Sequence, residues 1–298
     1  MTDTTINGTL ANDVTAHNAR TALSIALDGV APRRPAVAAE AYRLARLLTA
    51  ARWRHVFQAL EAVHDGALCV VGDETLGIGR LFEAVSVPFT RLPRWNAGVD
   101  RAAIVCIGCP QDAQLLDSRR LLDFMHHGGL LVTSDHAAAL PAIRGLLPLA
   151  GRGAPRRARA LRPHSDADAL LPAVFMPAGY DRLAPLPDGG PARTLATDAL
   201  TGEPLVVLVP VGAGALLHAA PHWLQDDPAC WTALERRPAS SVRAYVALEP
   251  RDPDVTVGDI QAAVTLLSLL LEGIAVALGI GAPPCVGPTE VSSYGEHA

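Results

Sequence analysis

The stretch AAIVCIGCPQDAQLLDSRRLLDFMHHGGLLVTSDHAAALPAIRGLL, residues 102–147, decides the fold. Two runs in it, 102–107 and 130–133, are short, apolar on both faces and bounded by turn residues, the pattern of central parallel strands buried between helix layers. The segment 114–127 between them is the crossover. Leu115, Leu116, Leu121, Leu122, Phe124 and Met125 recur there near helical spacing, while Asp117, Arg119, Arg120 and Asp123 fill the other face. Gly128-Gly129 ends the helix. A further helix follows the second strand, so the unit reads βαβα.

Working outward, Asp65-Gly66 leads into an apolar strand at 67–71, then a loop at 72–79, a helix at 76–85 and a strand at 85–90. Residues 93–99 connect it to the strand at 102. Right-handed crossovers turn this order into an α/β fold with a doubly wound parallel sheet, whose ligands sit beyond the carboxyl ends of the strands. The side chains falling there are Asp73, Glu74, Cys109, Ser134, Asp135 and His136.

After Leu149 the texture changes. Residues 151–163 are rich in Arg, Ala, Gly and Pro and are expected as a surface excursion; Pro172 argues against a central strand at 170–176. Two apolar runs, 203–210 and 213–219, joined by Val211-Gly212, predict an antiparallel hairpin at the sheet edge, closed by His218 and His222. The mostly apolar segment 255–280 is long enough for a membrane span. Glu272 and Gly273 interrupt it and no Lys or Arg flanks its C-terminal end, so a buried or dimer-forming helix is expected and no membrane association.

Ahead of the sheet pattern, 36–64 keeps a helical rhythm through Tyr42, Leu44, Leu47, Leu48, Trp53, Val56, Phe57, Leu60 and Val63, as one long helix or two joined near Thr49. Residues 1–17 are polar and 18–27 read as a short helix. The expected organisation is an N-terminal helical extension (1–64), an α/β domain (65–280) and a flexible tail (281–298).

Composition narrows the function. The 298 residues are 50% hydrophobic, ample for a substantial core, and carry a net charge of −5 with a pI near 6.0. The arginines are scattered except in 152–162, so no nucleic-acid partner is expected. Five cysteines, an odd number, and no basic stretch followed by an apolar one at the start fit a reducing cytoplasm.

Several constellations bear on chemistry. Cys106-x2-Cys109 with His218-x3-His222 has the ligand types of a zinc site. On an extended strand, positions three apart face opposite ways, which leaves Cys106 in the core and only Cys109 toward the crevice; no metal is expected. Gly77-Ile78-Gly79 lacks the third glycine of a dinucleotide loop and reads as a turn, and no cofactor is expected. His164-Ser165-Asp166-Ala167-Asp168 reads as a solvated acidic loop. Ser134-Asp135-His136, passing at once into small residues, predicts a sharp strand-to-helix turn that exposes a side chain over the sheet edge. Asp135 and His136 there are a candidate base and its orienter, against the simpler role of Ser134 or Asp135 as a helix cap.

Residues 104–110 followed by a helix, the strand 130–133 ending at an elbow, and VGAGALLHAAPH running into His222 together resemble the class I glutamine amidotransferase-like superfamily, over about residues 67–225. The small residues of DHAA resemble its ThuA-like branch. The resemblance implies a flavodoxin-like fold, with a nucleophilic Cys at the elbow and a His-x-Glu after the late strand. This chain has Asp135-His136 at the elbow, and Trp223 and Leu224 after His222. Cys109 stands where the resemblance places a Gly-Gly-Pro loop. Thiolate attack on an amide needs a sulfur beside its base, so glutaminase activity is not expected. Two functions follow: a module without the triad that binds a small molecule or a protein partner, as a homo-oligomer; or a ThuA-like hydrolase or sugar-processing enzyme using Asp135, His136 and His222. Asp73, Glu74, Cys109, Ser134 and His218 are the expected ligand-binding residues.

Overall fold

The structure is a computed structural model that describes residues 35–62, 64, 66–72, 77–95, 97–107, 117–162, 170–177, 179–187, 189–223 and 231–280, with the backbone alone at 35, 97, 136 and 170–172. The short helix expected at 18–27, the acidic loop at 164–168 and the tail at 281–298 lie outside the described residues.

The apolar runs form the strands expected of them: β1 (Leu68–Val71), β3 (Ile104–Ile107) and β4 (Leu130–Ser134), each buried along its whole length. Apolar side chains on both faces leave such a strand no solvent side, so helices must cover it above and below. β2 is short, Thr90–Leu92, and begins later than the sequence suggests. The apolar Val85 and Val87 are buried in a turn instead, where Ser86 takes a positive φ of 53° and Pro88 offers no N–H to a ladder.

With β11 (Gly214–Ala219) these strands make an all-parallel half-sheet in the order β2-β1-β3-β4-β11. That is the flavodoxin-like order, and the fold class is α/β as expected. The hairpin of β10 (Pro204–Val211) with β11 also forms. It lies inside the sheet and not at its edge, because β9 (Arg193–Asp198), β6 (Arg156–Leu161) and β7 (Leu170–Met176) continue beyond β10 in antiparallel pairing.

The supposed surface excursion is therefore partly sheet. Its inward positions carry Ala158 and Ala160, both buried, alternating with Arg157 and Arg159, so the period of two is present without an apolar run to announce it. Arg156 pairs with Asp198 and Glu203, and Arg182 also pairs with Glu203, tying the outer strands together. Pro172 falls on β7, the terminal strand, where a missing N–H is tolerated. β5 (Leu149–Arg152) and β8 (Asp181–Leu183) pair separately as a small second sheet.

The N-terminal region forms two helices, α1 (Pro35–Thr49) and α2 (Arg54–Glu61), the second of the two alternatives that the pattern leaves open. α3 (Ile78–Ala84) and α4 (Ser118–His126) are the crossovers. Asp117 caps α4 by accepting from the Arg119 N–H at 2.9 Å, and Gly128, at φ 102°, ends it. After β4 come a 3-10 turn (Asp135–Ala139) and the short α5 (Pro141–Arg144), and later the short α6 (Arg243–Val246).

The terminal helix α7 (Val257–Ala277) opens on a capping box between Thr256 and Asp259. It is long and apolar enough to cross a membrane, yet Ile260, Leu266, Leu267, Leu269, Leu270, Leu271 and Ile274 are all buried against the sheet and α1. At about 1.5–3 kcal/mol for each large aliphatic chain removed from water, this helix is a principal source of stability. α1 packs on α7 and α3, and its Val37, Tyr42, Leu44 and Ala45 join the same core.

Candidate functional site

The parallel pairing of β4 with β11 builds the site. Its register sets Thr133 beside His218 and Ser134 beside Ala219. The next residues on both strands therefore emerge together at the carboxyl end of the sheet, where doubly wound folds gather their ligands.

On the β4 side the chain turns sharply into the 3-10 helix at Asp135, which takes a left-handed φ of 43°. Outside glycine that region costs about 1–2 kcal/mol, less for Asp than for most residues because its short polar chain bonds locally. The elbow expected from the sequence is thus present, and the residue at its apex is Asp135, its side chain fully buried. On the β11 side the chain leaves the strand through Ala220 and Pro221 to His222, whose side chain is 37% exposed. His222 Nε2 lies 2.9 Å from Asp135 Oδ2. With its proton on Nε2 the imidazole donates to the carboxylate, which fixes the ring's orientation. A buried carboxylate holding a solvent-reaching imidazole is a dyad fit to bind a ligand or to move a proton.

Behind the dyad sits a second pair. His218 is fully buried, and its Nδ1 lies 2.9 Å from Thr133 Oγ1. Burial pushes the imidazole down to about 4, against the pull of the Asp135 charge in the opposite direction. His218 is therefore neutral at pH 7. Because its folded value lies below the ordinary 6.5, the unfolded chain binds the extra proton first as pH falls. The stability due to neutral His218 is complete above about pH 6.5 and is lost on the way down to about pH 4. The gap corresponds to on the order of 3 kcal/mol. Urea unfolding measured from pH 7.5 to 4 should show this acid limb, and His218→Asn, whose amide can still meet Thr133, should flatten it. An unchanged slope in that variant would assign the limb to other groups.

The other expected site residues fall as follows. Ser134 is buried at the end of β4 and its side chain does not cap the following turn. The backbone of His136 belongs to the 3-10 helix, and its side chain lies outside the described residues, as do Asp73, Glu74 and Cys109. Cys106 is buried on β3 and forms no disulfide. Among the described residues no three His, Cys, Asp or Glu side chains gather as a metal cage. The structure brings together Asp135, His218 and His222.

Sequence reasoning missed three neighbours. Thr133 was absorbed into an apolar strand, although a lone hydroxyl in LLVT is a signal. The Trp223 indole Nε1 donates to the Thr133 carbonyl at 3.0 Å, and the Tyr42 hydroxyl donates to the Trp223 carbonyl. A cleft of about 900 Å³ lies elsewhere, between α1, the end of α3 and the loop 251–254, lined by Glu40, Arg43, Leu47, Glu83, Arg251 and Asp254 among others. Neither member of the dyad borders it. Its carboxylate Glu40 is already held by Arg43 Nε and Nη2 at 2.7 Å and by the Arg251 N–H.

No protein-family model matches the chain, and no curated protein matches it. Solved structures do. A glutamine amidotransferase from Thermotoga maritima aligns over 72% of this chain and 99% of its own, at 10% identity and a TM-score of 0.42. A cytoplasmic protein from Salmonella typhimurium LT2 aligns over 68% of this chain and 98% of its own, at 12% identity and a TM-score of 0.40. The β-galactosidase of Bacillus circulans sp. alkalophilus aligns over 54% of this chain, at 11% identity and a TM-score of 0.37, and this chain spans 29% of that enzyme's length. Likeness at this level assigns no residue a role.

Proposed function

We infer that the chain is an amidotransferase-like α/β domain without glutaminase chemistry, which binds a small molecule at the carboxyl ends of β4 and β11. His222 is the group that meets the ligand, and Asp135 holds its ring. The observation that carries this reading is the 2.9 Å contact between a fully buried carboxylate at a left-handed elbow and a half-exposed imidazole from a neighbouring strand.

Glutamine hydrolysis by the amidotransferase route requires a sulfur nucleophile beside its base, and the apex residue here is Asp135. The purified protein should therefore release no ammonia from glutamine, and Cys109→Ser should change nothing. Ammonia release abolished by that substitution would place the nucleophile at Cys109 and sink the reading.

Small-molecule binding is favoured over assembly because α7, whose apolar sequence would equally suit a dimer-forming helix, is covered within the chain by the sheet and α1. The large exposed apolar side chains include Leu47, Leu48, Leu200 and Leu234, and Leu200 and Leu234 lie well apart in sequence from the first two. A few exposed apolar side chains are normal on a protein surface and do not by themselves call for a partner. A thermal-shift screen against a metabolite library tests the site directly. Compounds that raise the wild-type Tm should fail to raise that of His222→Ala; compounds that stabilise both equally would move the site elsewhere.

A second reading, a ThuA-like hydrolase in which His222 is the general base and Asp135 its orienter, is favoured by the backbone strain at Asp135. Strained residues cluster where a side chain is held for function. Turnover of a chromogenic ester or glycoside that disappears in His222→Ala would select it.

A further inference from the structure

We propose that Tyr42, on the N-terminal helix α1, is a positioning residue for His222 and acts through the main chain of Trp223. The proposal rests on the reading of His222 as the ligand-facing group. Tyr42 is 1% exposed, and its hydroxyl donates to the carbonyl of Trp223, 181 residues further on. That carbonyl lies past the end of β11, where no sheet ladder supplies a partner, and a buried carbonyl without one is costly.

Trp223 is held at its other end as well, since its indole Nε1 donates to the Thr133 carbonyl at 3.0 Å. Trp223, the residue that follows His222, is thus pinned to α1 through its carbonyl and to β4 through its side chain. On the other side of His222, the Pro221 ring restricts φ. His222 is thus carried between a stiff residue and an anchored one, and Asp135 selects its rotamer.

The base of the strut is itself fixed. Glu40 and Arg43 are bonded to one another, Glu40 accepts from the Arg251 N–H at 2.7 Å, and Arg43 donates to the Glu249 carbonyl at 3.0 Å, which locks α1 against the segment leading into α7. Removing the Tyr42 hydroxyl frees the Trp223 carbonyl, and with it the Trp223 main chain on which His222 is carried, to shift. A hydrogen bond of 2.9 Å does not survive a displacement of about 1 Å.

Solvent exchange of the His222 ring proton, followed by NMR of the full chain labelled with 15N-histidine, tests this. Tyr42→Phe should speed exchange of the Nε2 proton about tenfold and carry the His222 ring shifts toward those of Asp135→Asn. Tyr245→Phe, which removes a hydroxyl bonded to Gln261, should leave them at wild-type values. A Tyr42→Phe protein with a lowered Tm but wild-type exchange and ring shifts overturns the proposal alone, leaving Tyr42 a packing residue. Wild-type signals in Asp135→Asn would overturn the dyad and the proposal together. Should Tyr42→Phe not fold, 3-fluorotyrosine at position 42 keeps the ring and strengthens the donor. Exchange at His222 should then slow about twofold, and no change counts against the proposal.

Discussion

Gly214→Ala should lose most of the stability of the domain. Gly214 opens β11 directly above the end of α4, and a Cβ there would stand 2.2 Å from the Gly129 carbonyl oxygen, 2.5 Å from that of Met125 and 2.8 Å from the Gly129 nitrogen. All three are main-chain atoms, so no side chain can rotate out of the way. The neighbouring bonds, Ala213 N–H to His126 O at 3.2 Å and Ala215 N–H to Gly129 O at 3.1 Å, tie the two segments at this distance. Overpacking against side chains costs about 1–3 kcal/mol; against backbone on several sides we expect about 4 kcal/mol or more, a large share of the 5–15 kcal/mol typical of a domain. Gly145→Ala is the contrast. Its nearest neighbour would be 3.6 Å away and its φ is −70°, so the change should be neutral or stabilising by about 0.5 kcal/mol. Urea denaturation of the two variants measures both effects. Equal stabilities would mean that β11 does not lie on α4 as described. Because β11 carries His218 and leads into His222, Gly214→Ala should disorder the site with the fold.

Asp135→Gly should separate function from stability. Glycine adopts φ 43° without the strain that Asp135 bears. It also removes a carboxylate whose burial has a desolvation cost, while the half-exposed His222 can turn to water. The melting temperature should stay at the wild-type value or rise, and Asp135→Ala, which keeps the strain and lacks the carboxylate, should be less stable than Asp135→Gly by about 1–2 kcal/mol. Ligand affinity should fall at least tenfold in both. Any hydrolytic turnover should fall about 10²- to 10⁴-fold, the usual contribution of a positioned acid–base group. Calorimetry beside the binding or turnover assay checks the pair of expectations. A loss of many degrees in Asp135→Gly would make the carboxylate a structural group.

The candidate site was half legible. Asp135 and His222 stand out as polar residues closing apolar strands, and the elbow at Asp135 could be read from a strand running straight into small residues. Their bond to each other could not, since they are 87 residues apart. The sequence pairs Asp135 with His136, whose side chain lies outside the described residues, and places His222 at the same crevice; the structure sets His222 against Asp135. His218 looks like a ligand-facing residue from its place near the strand end; it lies within β11 beside Thr133, four residues before His222, and is enclosed.

By itself the sequence determined β1, β3 and β4 of the parallel half-sheet and the crossovers around them, because a strand buried on both faces must be apolar throughout and a covering helix must be apolar every three to four residues. Those signals are local and survive in one dimension. Only the tertiary structure decided that the hairpin lies inside the sheet, that alanine-lined β6 is a strand, and that α1 reaches Trp223. The reason is that pairing between distant segments is settled by the collective fit of register, close backbone approach at Gly214 and shared core, none of which leaves a periodic mark on either segment alone. The dyad belongs to that second kind: each half is written in the chain, and their meeting is a property of β4 lying beside β11.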